Sequence, residues 1–105
     1  MAHSTRAPED GFDLAETRRI VAEGLRGHRA RIYLFGSRAR GDASPTSDID
    51  VAVLPLEPLP PGTLAEIREA LEESRVLYPV EVVDLSEAAP EFRERVLAEG
   101  ILWYG

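Results

Sequence analysis

Gly36 and Ser37, followed after ten residues by Asp48, Ile49 and Asp50, are the residues of this chain best suited to chemistry. A glycine turn after an apolar run lets backbone N–H groups approach phosphate oxygens. Two carboxylates one residue apart offer hard oxygen ligands to a divalent cation. The two parts at this separation suit a magnesium-bound nucleoside triphosphate.

The carboxylates set the argument. Residues i and i+2 of a strand point the same way, so Asp48 and Asp50 are expected side by side. Two negative charges roughly 5 Å apart repel by about 3 kcal/mol at an effective dielectric near 20. Mg²⁺ relieves that repulsion, taking one or two protein carboxylates and completing its shell with water and phosphate oxygens. The plainer alternative is a charged edge strand whose aspartates only solvate it.

The glycine turn weighs against the plainer reading. Ser37 adds a hydroxyl and an N–H at the start of the turn, and Arg38 and Arg40 add positive charge beside it. The segment is not a Walker loop, since its lysine and glycine spacing are missing. A third carboxylate is expected if the site activates a hydroxyl. Val80 to Leu85 reads as a strand and offers Glu81 and Asp84. Strand parity puts Glu81 with Asp48 and Asp50, as a metal ligand or general base. It puts Asp84 on the core side, at the strand end.

The positioning elements follow from periodicity and breakers. Residues 1–11 read as a polar, flexible leader with no secretory apolar run, and 12–105 as one domain. Phe12 to Gly27 reads as an amphipathic helix with Leu14, Ile20, Val21, Gly24 and Leu25 inward. Ile32 to Phe35 reads as a buried strand, and Ala43 to Ser47 as a loop. Asp48 to Leu54 reads as a second strand with Ile49, Val51 and Val53 on one face. Pro55, Pro58, Pro60 and Pro61 mark a surface connection. Thr63 and Glu66 read as a capping box for a helix to about Leu77, stopped by Pro79. Ser86 is a cap for a last helix with Phe92, Val96 and Leu97 inward, ended by Gly100. Ile101 to Tyr104 reads as an apolar tail or short edge strand. Trp103 and Tyr104 pack the tail or join an interface. Helices alternating with strands predict an α/β fold, a small mixed sheet packed by helices on one face.

Composition bounds the rest. The chain has 105 residues, 44% of them hydrophobic, enough for one modest core. It has no cysteine, which excludes disulfides and thiolate zinc sites and fits a reducing, cytoplasmic setting. The formal net charge is −7, so extended, direct nucleic-acid binding is not expected. All twelve basic residues are arginine, so any cationic phosphate contact uses arginine. No stretch is apolar and long enough to span a membrane. His3 and His28 form no cluster and read as solvent-facing.

On Gly36, Ser37, Asp48 and Asp50, the chain resembles the minimal nucleotidyltransferase (MNT) family of the DNA polymerase β-like superfamily. The family signature, Gly-Ser, ten residues, Asp-x-Asp, is met without departure, and the similarity extends over nearly the whole chain. Glutamate at 81 stands where the family often has aspartate. The resemblance implies a polymerase β-like nucleotidyltransferase core with Mg²⁺ and ATP. Gly36, Ser37, Arg38, Arg40, Asp48 and Asp50 would bind the nucleotide, and Asp48, Asp50 and Glu81 would serve metal binding and catalysis. It further implies a partner, a HEPN-family RNase toxin, which such proteins neutralise as type VII-like antitoxins by moving AMP from ATP to a tyrosine hydroxyl. A homodimer or a hetero-oligomer is compatible with this. Two other readings stay open at this level. One is an antitoxin that acts by binding alone, and the other is a transferase for a small-molecule acceptor.

Overall fold

Strands β1 (Ala30–Phe35), β2 (Ile49–Pro55), β3 (Val80–Asp84) and β4 (Ile101–Tyr104) form one mixed sheet in the order β3-β2-β1-β4. The computed structural model describes residues 8–41 and 48–105. β1 runs antiparallel to β2 and β4, and β2 runs parallel to β3. A parallel pair cannot be joined by a tight hairpin. Helix α3 (Thr63–Glu72) supplies the crossover between β2 and β3. The other helices are α1 (Pro8–Gly24), the single-turn α2 (Ser37–Arg40) and α4 (Pro90–Glu99), with a 3₁₀ turn at Leu85–Glu87.

Alternation decides the two faces of the sheet. Ile32, Leu34, Ile49, Val51, Val53 and Val82 point to one face and are buried against Ile20, Val21 and Leu25 at the end of α1 and Ile67 and Leu71 of α3. Gly24 sits where the two helices meet, and a Cβ there would overlap the Ile67 side chain. The absence of that atom permits the close approach. The opposite face carries a smaller cluster, with Tyr33 and Ala52 buried against Leu85 and Val96. Helix α4 thus covers part of the second face, in addition to the expected packing of helices on the first.

Several element ends differ from the sequence reading. Helix α1 starts at Pro8, four residues before the expected Phe12 and within the expected leader. Residues 1–7 of that leader and the 43–47 loop lie outside the described residues. The Thr63–Glu66 capping box does not form. Gly62 is the cap residue at φ 87°, and the Thr63 hydroxyl donates to the Pro60 carbonyl at 2.8 Å. Helix α3 ends at Glu72 instead of near Leu77 because the Ser74 hydroxyl donates to the Leu71 carbonyl at 2.6 Å and accepts from the Val76 N–H. Ser86 does not cap the last helix; Ala89 precedes it, with Pro90 in its first turn. Leu97 is 41% exposed rather than inward, and Leu77 is 77% exposed. The apolar tail is the edge strand β4. No helix among the described residues is long and apolar enough to cross a membrane.

Candidate active site

The sheet register builds the site. Phe35 stands opposite Asp50 across β1 and β2, and Asp50 stands opposite Glu81 across β2 and β3. Directly paired residues share a face. Phe35, Asp50 and Glu81 therefore form one row across three strands, on the face away from the main core. Asp50 is half-buried, while Asp48 and Glu81 are exposed.

β1 ends at Phe35 because Gly36 turns the chain at φ 78°, ψ −157°. That combination is open to glycine and almost no other residue. The Gly36 carbonyl then accepts from the N–H groups of Ala39 and Arg40, each at 3.1 Å, closing the turn of α2. A Cβ at Gly36 would overlap Oδ2 of Asp50 and lie 3.2 Å from its Cγ. The glycine turn and the acid pair are thus one packed unit, with Ser37 opening α2 beside it.

Burial holds the Asp50 carboxyl above the usual aspartate range, and the charges of Glu81 and then Asp48 add to that effect. Arg38 and Arg40 pull it the other way. This is the electrostatic signature of acidic groups gathered at one place. Asp48 lies just before β2 rather than within it. Its carbonyl accepts from Nε of Arg38 at 3.3 Å. The Arg38 guanidinium carbon lies 4.4 Å from the centre of the Tyr78 ring.

Asp84 belongs to a different environment. It pairs in register with Val53, a core residue. Its carboxylate accepts from the Ser86 N–H at 2.9 Å and the Ser86 hydroxyl at 2.6 Å, capping the 3₁₀ turn. The structure therefore brings Asp50 and Glu81 together, with Asp48, Arg38 and Arg40 near enough to act on Asp50, and sets Asp84 apart.

The expected three-carboxylate metal set is not assembled. Among the described residues no three acidic or histidine side chains converge as a cation site. The donor chemistry still fits Mg²⁺. Its oxygens are hard, and the repulsion from Glu81 and Asp48 that adds to burial in raising the Asp50 carboxyl is what a cation would neutralise.

Sequence reasoning missed the support of this site. Tyr78 carries no local signal, because its contact with Arg38 joins residues far apart in the chain. The 77–79 segment is fixed from two sides. Asp13 of α1, 1% exposed, accepts from the Leu77 N–H at 3.2 Å, and the Pro79 carbonyl accepts from Ile49 N–H at 2.9 Å. A buried aspartate among the polar positions of α1 looks, in sequence, like a solvent-facing residue.

Residues 27–105 match the family described as Polymerase beta, Nucleotidyltransferase. A structure described as a minimal nucleotidyltransferase is 31% identical, with a TM-score of 0.69 over 93% of this chain and 98% of that one. A chain in a crystal structure of a toxin–antitoxin with AMP-PNP is 27% identical, with a TM-score of 0.67 over 94% of this chain and 74% of that one. The Haemophilus influenzae protein named "Probable protein adenylyltransferase MntA" is 35% identical over 63 residues, 60% of this chain. The match spans about half of that relative's length, 55%.

Proposed function

The chain belongs to the polymerase beta nucleotidyltransferase family, and from that membership we propose that it is a Mg²⁺-dependent protein adenylyltransferase. It transfers AMP from ATP to a tyrosine hydroxyl of a HEPN-family toxin and so acts as that toxin's antitoxin, in the cytoplasm. The observation that carries this reading is the row in which Asp50 lies between Glu81 and the Gly36 turn. Likeness to an adenylyltransferase and to a chain from a toxin–antitoxin structure with an ATP analogue supports it.

The residues divide the work. Asp48 and Asp50 would hold the metal, with Glu81 at the border of the same acidic group. When bound, Mg²⁺ supplies charge neutralisation for the triphosphate and for the developing pyrophosphate. The Gly36–Ser37 turn presents N–H and hydroxyl donors to the phosphates, and Arg38 and Arg40 add charge beside it. Glu81 takes the tyrosine proton as the phenolic oxygen bonds to the α-phosphorus. The bond from that phosphorus to the bridging oxygen breaks, and its electron pair leaves with pyrophosphate.

The test uses ATP labelled at the α-phosphate, Mg²⁺ and a purified HEPN-family toxin protein. Label should pass to a tyrosine of that protein, and γ-labelled ATP should leave none. Neutralisation of the toxin with no transferred label would make the chain a binding antitoxin instead.

A further inference from the structure

The row of Phe35, Asp50 and Glu81 gives the site a direction. In phosphoryl transfer the attacking and leaving oxygens lie roughly in line through the phosphorus. Glu81, the proton acceptor on β3, marks the attacking end. The leaving pyrophosphate then belongs at the other end, toward Phe35 and the Gly36 turn.

Helix α4 covers that end. Phe92 meets Phe35 edge to face, with ring centres 5.5 Å apart and planes at 86°. Between α4 and the turn lies a hollow of about 160 Å³, lined by Phe35, Gly36, Arg40, Phe92, Arg95 and Glu99 among others. Whole small-molecule sites are roughly 300–1,000 Å³, so this hollow fits one end of a nucleotide and not all of it. Its charge selects the end. Two guanidinium groups, Arg40 from α2 and Arg95 from α4, border it. The Arg95 side chain makes no hydrogen bond or ion pair among the described residues, not even with Glu99 one turn on. Glu99 is exposed at the rim, where its carboxylate can remain in water.

We propose that this hollow holds the terminal phosphates of the triphosphate and that Arg95 grips the leaving pyrophosphate from α4. The inference rests on the nucleotidyltransferase reading above and adds a binding residue that lies far outside the Gly-Ser and Asp-x-Asp pattern. Guanidinium suits the task because it donates in parallel to two phosphate oxygens.

Calorimetry on the full chain with Mg²⁺ tests it, using inorganic tripolyphosphate, ATP and AMP as separate probes. Arg95→Gln should weaken tripolyphosphate and ATP binding by about tenfold at low salt, the scale of one lost charged hydrogen bond, and leave AMP unchanged. Arg95→Lys should recover part of the loss. Circular dichroism should show both variants folded, since Arg95 is exposed. Equal tripolyphosphate and ATP affinities in Arg95→Gln and the parent chain would overturn the inference, and so would an equal loss for AMP. A parent chain that binds neither tripolyphosphate nor ATP would overturn the nucleotide reading itself, a result distinct from the other two.

Discussion

The Asp50 carboxylate fills the space that a side chain at Gly36 would need. A Cβ built on Gly36 overlaps Oδ2 of Asp50, and the backbone there holds φ 78° with ψ −157°. Two constraints therefore meet at one residue. Gly36→Ala should lose about 1–3 kcal/mol to backbone strain alone, and further stability to displacement of Asp50. Removing the carboxylate as well, in Gly36→Ala with Asp50→Ala, should relieve the second cost and not the first. Denaturant unfolding of the two single variants and the double variant gives the coupling. Strict additivity would show that the two residues do not press on each other.

Asp50 makes the pH dependence of stability predictable in sign. Burial, then Glu81, then Asp48 raise its carboxyl above the ordinary value. A raised value means that the native state holds the proton more tightly than the unfolded chain does. Below the unfolded value, about 3.9, both states are protonated and Asp50 costs nothing. The cost appears as pH rises from there and is complete above the native value. Asp50→Asn should therefore melt higher than the parent chain at neutral pH without Mg²⁺, with the gain shrinking as pH falls and gone below about pH 4. The same variant, combined with Asp48→Asn, should lose Mg-ATP binding. Unchanged affinity in that folded double variant would remove the aspartates from the metal site.

Much of the site was legible because its chemistry is local. Gly36 and Ser37 and the aspartates at 48 and 50 stand at a fixed spacing, and alternation of Ile49, Val51 and Val53 put Asp50 on the open face. Parity alone separated Glu81 from Asp84. What sequence could not give depends on contacts between distant segments. Thr63 has the composition of a cap, but Gly62 at positive φ takes the cap position and Pro60 takes the threonine hydroxyl. Asp13 and Thr17 occupy helical positions that look solvent-facing, yet both are buried, Asp13 where α1 meets the 77–79 segment. Periodicity turns Phe92 inward but does not name its partner, Phe35, which lies on a strand distant in the chain.

Tyr78 should matter through Arg38. The ring lies 4.4 Å from the guanidinium carbon, and Nε of Arg38 is tied to the Asp48 carbonyl. A cation over an aromatic face gains about 0.5–2 kcal/mol, depending on how dry the site is. Tyr78→Phe keeps the ring and should bind Mg-ATP as the parent does. Tyr78→Leu removes the ring that holds the Arg38 guanidinium and should weaken Mg-ATP by up to about that energy. Equal binding by all three proteins would mean that the stacked arginine does not face the nucleotide.

Glu81 and Asp84 differ in what already holds them. Glu81 stands beside Asp50 in the sheet with its side chain exposed to an acceptor. The Asp84 carboxylate is occupied by the Ser86 N–H and hydroxyl and is paired in register with a core valine. A general base contributes about 10²–10⁴-fold in rate. Glu81→Gln should lose that much in single-turnover AMP transfer while keeping most of its ATP affinity, which the aspartates and the turn support. Asp84→Ala loses a cap and should cost about 0.5–2 kcal/mol of stability, with transfer near the parent rate at temperatures where it is folded. The pair of measurements separates the two carboxylates. If folded Asp84→Ala fails to transfer while Glu81→Gln transfers normally, the base lies at the end of β3, and the row through Asp50 does not define the attacking side.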